Sequence, residues 1–197
     1  MSERDAVPQM SGLILCGGGS RRIGQEKALI PVEGRPLVLR VAGRLGRIAD
    51  PVILAPGRPG RLGDLGFPEV ADEVPAAGPL AGLCAGLAAS PHPLMAVVAV
   101  DMPFASAEVM ALLTAAHGGE DAVVPVTAHG LQPLHAVYAK AALATLREAL
   151  TGGRLALRRV LAELRVRTVP EAEWGRADPS GRFDVNLNRA EDVALLR

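Results

Sequence analysis

The sequence has few aromatic residues, cysteines or lysines, no long apolar run and no excess charge of either sign. Aromatics make up 3% of 197 residues and apolar residues 49%, so a core must be built from aliphatic side chains and alanine. The two cysteines, Cys16 and Cys84, lack the paired spacing of a zinc knuckle or redox motif, and the four histidines are scattered. Reduced thiols and a cytoplasmic location are the expectation. With 21 basic residues against 21 acidic ones, no global field draws the chain onto nucleic acid or an anionic membrane, so any polyanion site must be local. The longest aliphatic stretch, residues 94–100, is too short to span a bilayer, and the mixed-charge opening Met1-Ser2-Glu3-Arg4-Asp5 does not read as a signal peptide. The length fits one domain, residues 1–197, with a short flexible N-terminus of about ten residues.

Aliphatic runs at residues 13–15, 52–55, 94–100, 122–126 and 134–139 read as strands. Between them Val38, Val41, Ala42, Leu45 and Ile48 repeat at helical spacing after Pro36, a residue suited to a first helical position. Val109, Leu112, Leu113 and Ala116 repeat likewise, as do Leu157, Val160, Leu161 and Leu164. Strands apolar on both faces, alternating with amphipathic helices, predict a mostly parallel sheet with helices on each side. Such sheets bind ligands at the carboxyl ends of their strands.

After the first run comes Cys16-Gly17-Gly18-Gly19-Ser20-Arg21-Arg22-Ile23-Gly24-Gln25-Glu26-Lys27. Successive glycines let backbone N–H groups converge on an anion, and Arg22 and Lys27 can neutralise a triphosphate. A P-loop is excluded because Gln25 and Glu26 follow Gly24, and the dinucleotide fingerprint because Arg22 stands where it needs glycine. The alternative is a solvated turn. Lys27 is one of only two lysines, the other being Lys140.

The run ending at Val100 delivers Asp101 to a carboxyl strand end, with Pro103 to stop the strand. Magnesium takes hard oxygen ligands, usually one or two from protein, and Asp101 fits that role; the alternative is a cap for the helix starting near Ser106. In Phe183-Asp184-Val185-Asn186-Leu187-Asn188 the two asparagines share one side of an extended segment, to assist the metal or orient a phosphate, or else form a turn with Asn188 as helix cap. Gly78-Pro79-Leu80-Ala81-Gly82 opens a predicted helix through Ala89, where small residues admit a flat base or serve close packing on the sheet.

Together these motifs resemble the molybdenum cofactor guanylyltransferases, nucleotidyltransferases sharing a Rossmann-like fold with sugar-nucleotide pyrophosphorylases. The resemblance runs from Gly12 to about Val193, and its most specific element is the ungapped stretch from Leu15 to Ala28. It implies a three-layer α/β/α fold of the nucleotide-diphospho-sugar transferase type. It also implies transfer of GMP from GTP to molybdopterin, or to its molybdenum-loaded form, with release of pyrophosphate. Leu15, Cys16, Gly17, Gly18 and Lys27 would contact GTP, Asp72 would lie near the nucleoside, and Gly78, Pro79, Leu80 and Gly82 would accept the guanine. Asp101 would hold magnesium with Asn186 or Asn188, Arg22 and Lys27 would stabilise the departing pyrophosphate, and molybdoenzyme maturation proteins would be partners. The pair Gly17-Gly18 with the Gly78 motif resembles guanine users, since cytosine users carry Ala-Gly in the first position.

The chain departs from the family pattern at several positions. Cys16 replaces alanine, Ile23 methionine, Glu26 aspartate, Leu54 a nucleotide-touching asparagine, and Arg189-Ala190 a Thr-Pro. On the acceptor side, Gln132-Pro133-Leu134-His135 and Arg154, Arg158 and Arg159 can meet a pterin and its phosphate, or form a solvated face with His135 in the core. The alternatives are a transferase using CTP or acting on a sugar phosphate, and a non-catalytic nucleotide-binding subunit.

Overall fold

The computed structural model describes residues 10–17, 26–187 and Asp192. Ten strands are found there: β1 Met10–Leu15, β2 Pro31–Val32, β3 Arg35–Pro36, β4 Val52–Gly57, β5 Glu69–Ala71, β6 Leu94–Ala99, β7 Ala122–Thr127, β8 Gly130–Leu131, β9 His135–Ala139 and β10 Val166–Val169. The helices are α1 Leu37–Leu45, α2 Pro79–Ala89, α3 Ala107–Ala115, α4 Leu143–Thr151, α5 Leu157–Val160 and α6 Glu171–Trp174. The main sheet runs β5-β4-β1-β6-β9-β7-β10, with β8 paired to β7 at its tip. Strands β5, β4, β1 and β6 are mutually parallel, as are β7 and β10, while β9 is antiparallel to both its neighbours. The reversal follows from chain length: the link from Thr127 to His135 is too short for a crossover helix.

Each central strand feeds two cores. Met10 and Ile14 of β1 pack with α1, α3 and Trp174 on one side, while Leu13 and Leu15 pack with α2, α4 and α5 on the other. The predicted three layers and mostly parallel sheet are therefore present. Every residue of α2 from Leu80 to Leu87 is buried because the helix lies between the sheet and α4, which explains its apolar circumference. No helix among the described residues is long and apolar enough to cross a membrane.

All five predicted strands occur, but β1 begins at Met10, so the last of the ten residues assigned to the N-terminus is buried strand. Pro36 flanks α1 as its cap residue, at φ −50° and ψ 138°, and is not its first helical residue. Ser106 caps α3, its hydroxyl accepting from Val109 N at 3.2 Å. Strands β5 and β10 and helix α4 were not anticipated.

Candidate nucleotide site at the carboxyl ends of the strands

The end of β1 is held on both sides. Cys16 N donates to Ala55 O at 3.0 Å on the β4 side, and Val100 N donates to Leu15 O at 3.1 Å on the β6 side. The backbone therefore enters the glycine-rich loop between two strand ends, with Gly17 exposed. Arg22, Gly18 and the rest of residues 18–25 lie outside the described residues. At the far end of the loop, Lys27 begins a 3-10 turn through Leu29, and its Nζ lies 3.1 Å from Asp101 Oδ2, across a sequence separation of 74 residues. The pair is neither core nor open surface, with side chains 19% and 26% exposed.

Asp101 is joined to a third segment. Its carbonyl accepts from Leu187 N at 2.8 Å, which draws the neighbouring Asn186 to the same strand end. Asn186 is exposed and its Nδ2 donates to Asp184 O at 2.9 Å. Asn188 lies outside the described residues. Among the described residues no group of three or more His, Cys, Asp or Glu forms a metal cage. A metal at Asp101 would take most of its ligands from elsewhere, which suits magnesium on a phosphate chain.

On the β4 side lies a cleft of about 280 Å³ lined by Gly17, Gly57, Arg58, Arg61, Asp72 and Ala76, among others. Burial raises the Asp72 carboxyl above its ordinary pKa, and the Arg61 charge opposes that shift. Gly57, at φ +85°, turns the chain beneath this carboxylate: a Cβ there would stand 3.4 Å from Asp72 Oδ2. The N-terminus of α2 abuts the same region. Gly78 adopts φ 73° and ψ −158°, Pro79 opens the helix, and a Cβ on Gly82 would fall 2.8 Å from Leu15 Cδ2 and 3.5 Å from Asp72 Oδ1. Close packing thus accounts for Gly82, Leu80 is fully buried, and the motif still sets the first turn of α2 against the strand ends.

Three of the departures, Cys16, Glu26 and Leu54, fall on described residues, whereas Ile23, Arg189 and Ala190 lie outside them. Cys16 is buried, and burial pushes its thiol up to about 12, so it is a small core residue and not a nucleophile. Leu54 is wholly buried and offers a nucleotide nothing. Glu26 Oε2 lies 3.3 Å from Arg61 Nη1.

The acceptor-side residues separate. His135 is fully buried, its Nε2 accepting from Ser106 N at 3.0 Å and its ring resting 4.6 Å from that of Phe183. Gln132 Nε2 donates to Thr127 Oγ1 at 3.0 Å within the turn after β7, and Asp184 accepts from Thr127 Oγ1 at 2.6 Å. Arg154 is ion-paired with Glu163 at 3.1 Å and Arg159 lines a separate cleft with it, whereas Arg158 Nη1 would stand 3.8 Å from a Cβ on Gly130. The three arginines therefore do not converge. Arg58, Arg61 and Gly57 were missed in the sequence, although they lie in the segment just past the apolar run of β4, where a strand-end rule directs attention.

The family profile described as a MobA-like NTP transferase domain matches residues 12–171. A probable molybdenum cofactor guanylyltransferase from Pelotomaculum thermopropionicum is 37% identical over 190 residues, covering 96% of this chain and 92% of the relative. A molybdenum cofactor guanylyltransferase from Desulfosudis oleivorans is 33% identical over 193 residues, covering 96% and 93%. The solved structure of molybdopterin-guanine dinucleotide biosynthesis protein A from Archaeoglobus fulgidus matches with a TM-score of 0.83 at 26% identity, covering 95% of this chain and 96% of that one. A Thermus thermophilus 2-C-methyl-D-erythritol 4-phosphate cytidylyltransferase, at a TM-score of 0.63 and 20% identity over 93% of this chain and 95% of that one, shares the fold. With a profile spanning most of its length and relatives matched nearly end to end, the chain belongs to the MobA-like NTP transferase family.

Proposed function

We propose that this protein transfers GMP from GTP to molybdopterin, forming the guanine dinucleotide and releasing pyrophosphate, as a cytoplasmic enzyme whose product passes to molybdoenzyme maturation proteins. The observation that carries the reading is the 3.1 Å pairing of Lys27, where the chain leaves the glycine-rich loop, with Asp101 just past the end of β6. A lysine and a carboxylate paired beside the opening of a glycine-rich sequence match a triphosphate and its counter-ion. The nucleoside occupies the cleft on the β4 side, against Asp72 and the first turn of α2, and the phosphates cross the end of β1 toward Lys27 and Asp101.

The donor set fits magnesium: Asp101 would hold it, with Asn186 and Asn188 as further oxygen donors. When bound there it supplies neutralisation of phosphate charge. The rest of the work falls to the chain. The attacking phosphate of molybdopterin is already anionic, so no strong general base is needed and catalysis rests on alignment and charge. Lys27 and Arg22 stabilise the charge gathering on the departing pyrophosphate. The tie between Asp101 O and Leu187 N holds the segment that carries Asn186 beside Asp101.

Pyrophosphate release, measured with magnesium and molybdopterin and each of GTP, CTP and UTP in turn, tests the assignment. GTP should be used at least tenfold more efficiently than the others, with guanine dinucleotide as product. Preference for CTP or UTP, or GTP binding without product, would reject it.

A further inference from the structure

We propose that Arg61 is a positioning residue of the nucleotide site, tying together the two ends of the glycine-rich loop and so setting Lys27 against Asp101. The inference rests on the nucleotidyltransferase reading and adds a residue to it.

Arg61 comes from the link between β4 and β5, remote in sequence from both ends of the loop. Its Nη2 donates to Cys16 O at 2.6 Å, and its Nη1 lies 3.3 Å from Glu26 Oε2. Cys16 is the residue before Gly17, where the loop opens, and Glu26 is the residue before Lys27, where it closes. One planar fork therefore joins the start of the loop to its end. A guanidinium can do this because its two terminal nitrogens point to separate acceptors at fixed spacing; a lysine carries its three donors on a single nitrogen and lacks that fork. Both side chains of the ion pair are about three-quarters buried, at 26% and 24% exposure, so the pair is less weakened by water than a surface bridge.

A further observation separates positioning from ordinary packing. The same guanidinium lines the nucleotide cleft beside Gly17 and Asp72, and its charge opposes the upward shift that burial gives the Asp72 carboxyl. It also gives the longer carboxylate at position 26 its use. Glu26 reaches toward Arg61 while Lys27, the next residue, reaches Asp101, so fixing the one aims the other. Arg61 touches no reacting atom in this scheme and acts through Cys16, Glu26 and Asp72.

The test compares wild type with Arg61→Ala, Arg61→Lys, Glu26→Gln and the double variant Arg61→Ala/Glu26→Gln, measuring Kd for magnesium–GTP, kcat and KM, and Tm without nucleotide. Arg61→Ala should weaken GTP binding about tenfold or more and lower kcat, with a Tm close to wild type. Arg61→Lys should recover part of the loss, Glu26→Gln should move in the same direction as Arg61→Ala, and the double variant should be little worse than Arg61→Ala alone, because the two residues act as one unit. Wild-type affinity and kcat in Arg61→Ala overturn the proposal, as do fully multiplicative effects in the double variant. If Arg61→Ala does not fold, Arg61→Lys and Glu26→Gln decide: unchanged GTP binding and kcat in both overturn it. Running wild type with CTP and UTP separates the two claims. A wild type that prefers another triphosphate defeats the guanylyl reading, and the variant ratios are then read with that nucleotide.

Discussion

Asp101 answers to two distant segments at once, its carboxylate to Lys27 and its carbonyl to Leu187 N, and this double attachment brings three separate motifs to one place. His135 shows how a polar residue beside such a site can be purely structural. Burial pushes its pKa down to about 4 from 6.5, its Nε2 accepts from Ser106 N, and its Nδ1 has no partner among the described residues. The unfolded chain therefore binds a proton that the fold refuses between about pH 6.5 and 4. The contribution of neutral His135 is complete above pH 6.5 and is lost as the pH falls through that window, on the order of 3 kcal/mol in all. Thermal melts at pH 7 and 4.5 should show a smaller acid-induced drop in Tm for His135→Gln, which keeps an acceptor for Ser106, than for wild type. Equal drops would contradict a buried neutral histidine.

Among the elements, α2 carries the closest tolerances. A Cβ on Gly86 would lie 2.5 and 2.7 Å from the two Cδ atoms of Leu13, itself completely buried in β1. Overpacking of this kind costs about 1–3 kcal/mol, against about 1 kcal/mol gained when alanine replaces a helical glycine, so the clash should win. Gly86→Ala should lower Tm by about 2–4 °C, while Gly43→Ala in α1, where a Cβ meets nothing within 4 Å, should hold or raise it. Gly86→Ala melting with wild type would show that Leu13 yields freely. The central strands could be read in advance because they are buried on both faces and spell continuous aliphatic runs. Strands β5 and β10 could not, being short edge strands that carry Glu69 and Arg167 among few apolar residues. Helix α4 has a readable stripe, Leu143, Leu146, Ala149 and Leu150, but it follows β9 with no glycine or proline to mark the change of period.

For the whole molecule, zero net charge means that affinity for a triphosphate must be generated locally, and the parallel sheet does so by gathering strand ends at one edge. That topological rule made Asp101, Lys27 and the glycine-rich loop readable as partners before any distance was known. Arg61 was not readable: it is one of 19 arginines, in a loop rich in glycine and proline, and only the folded geometry puts its fork between Cys16 and Glu26. Nor could the acceptor side be read, since Arg154 pairs with Glu163 while Arg158, four residues on, lies toward Gly130. The most direct measurement is the formation of guanine dinucleotide from GTP, magnesium and molybdopterin by wild type, Lys27→Ala and Asp101→Ala, each checked for a wild-type fold by circular dichroism. The account predicts product from wild type and a loss of about a hundredfold to a thousandfold in each variant; full turnover by either folded variant would contradict it.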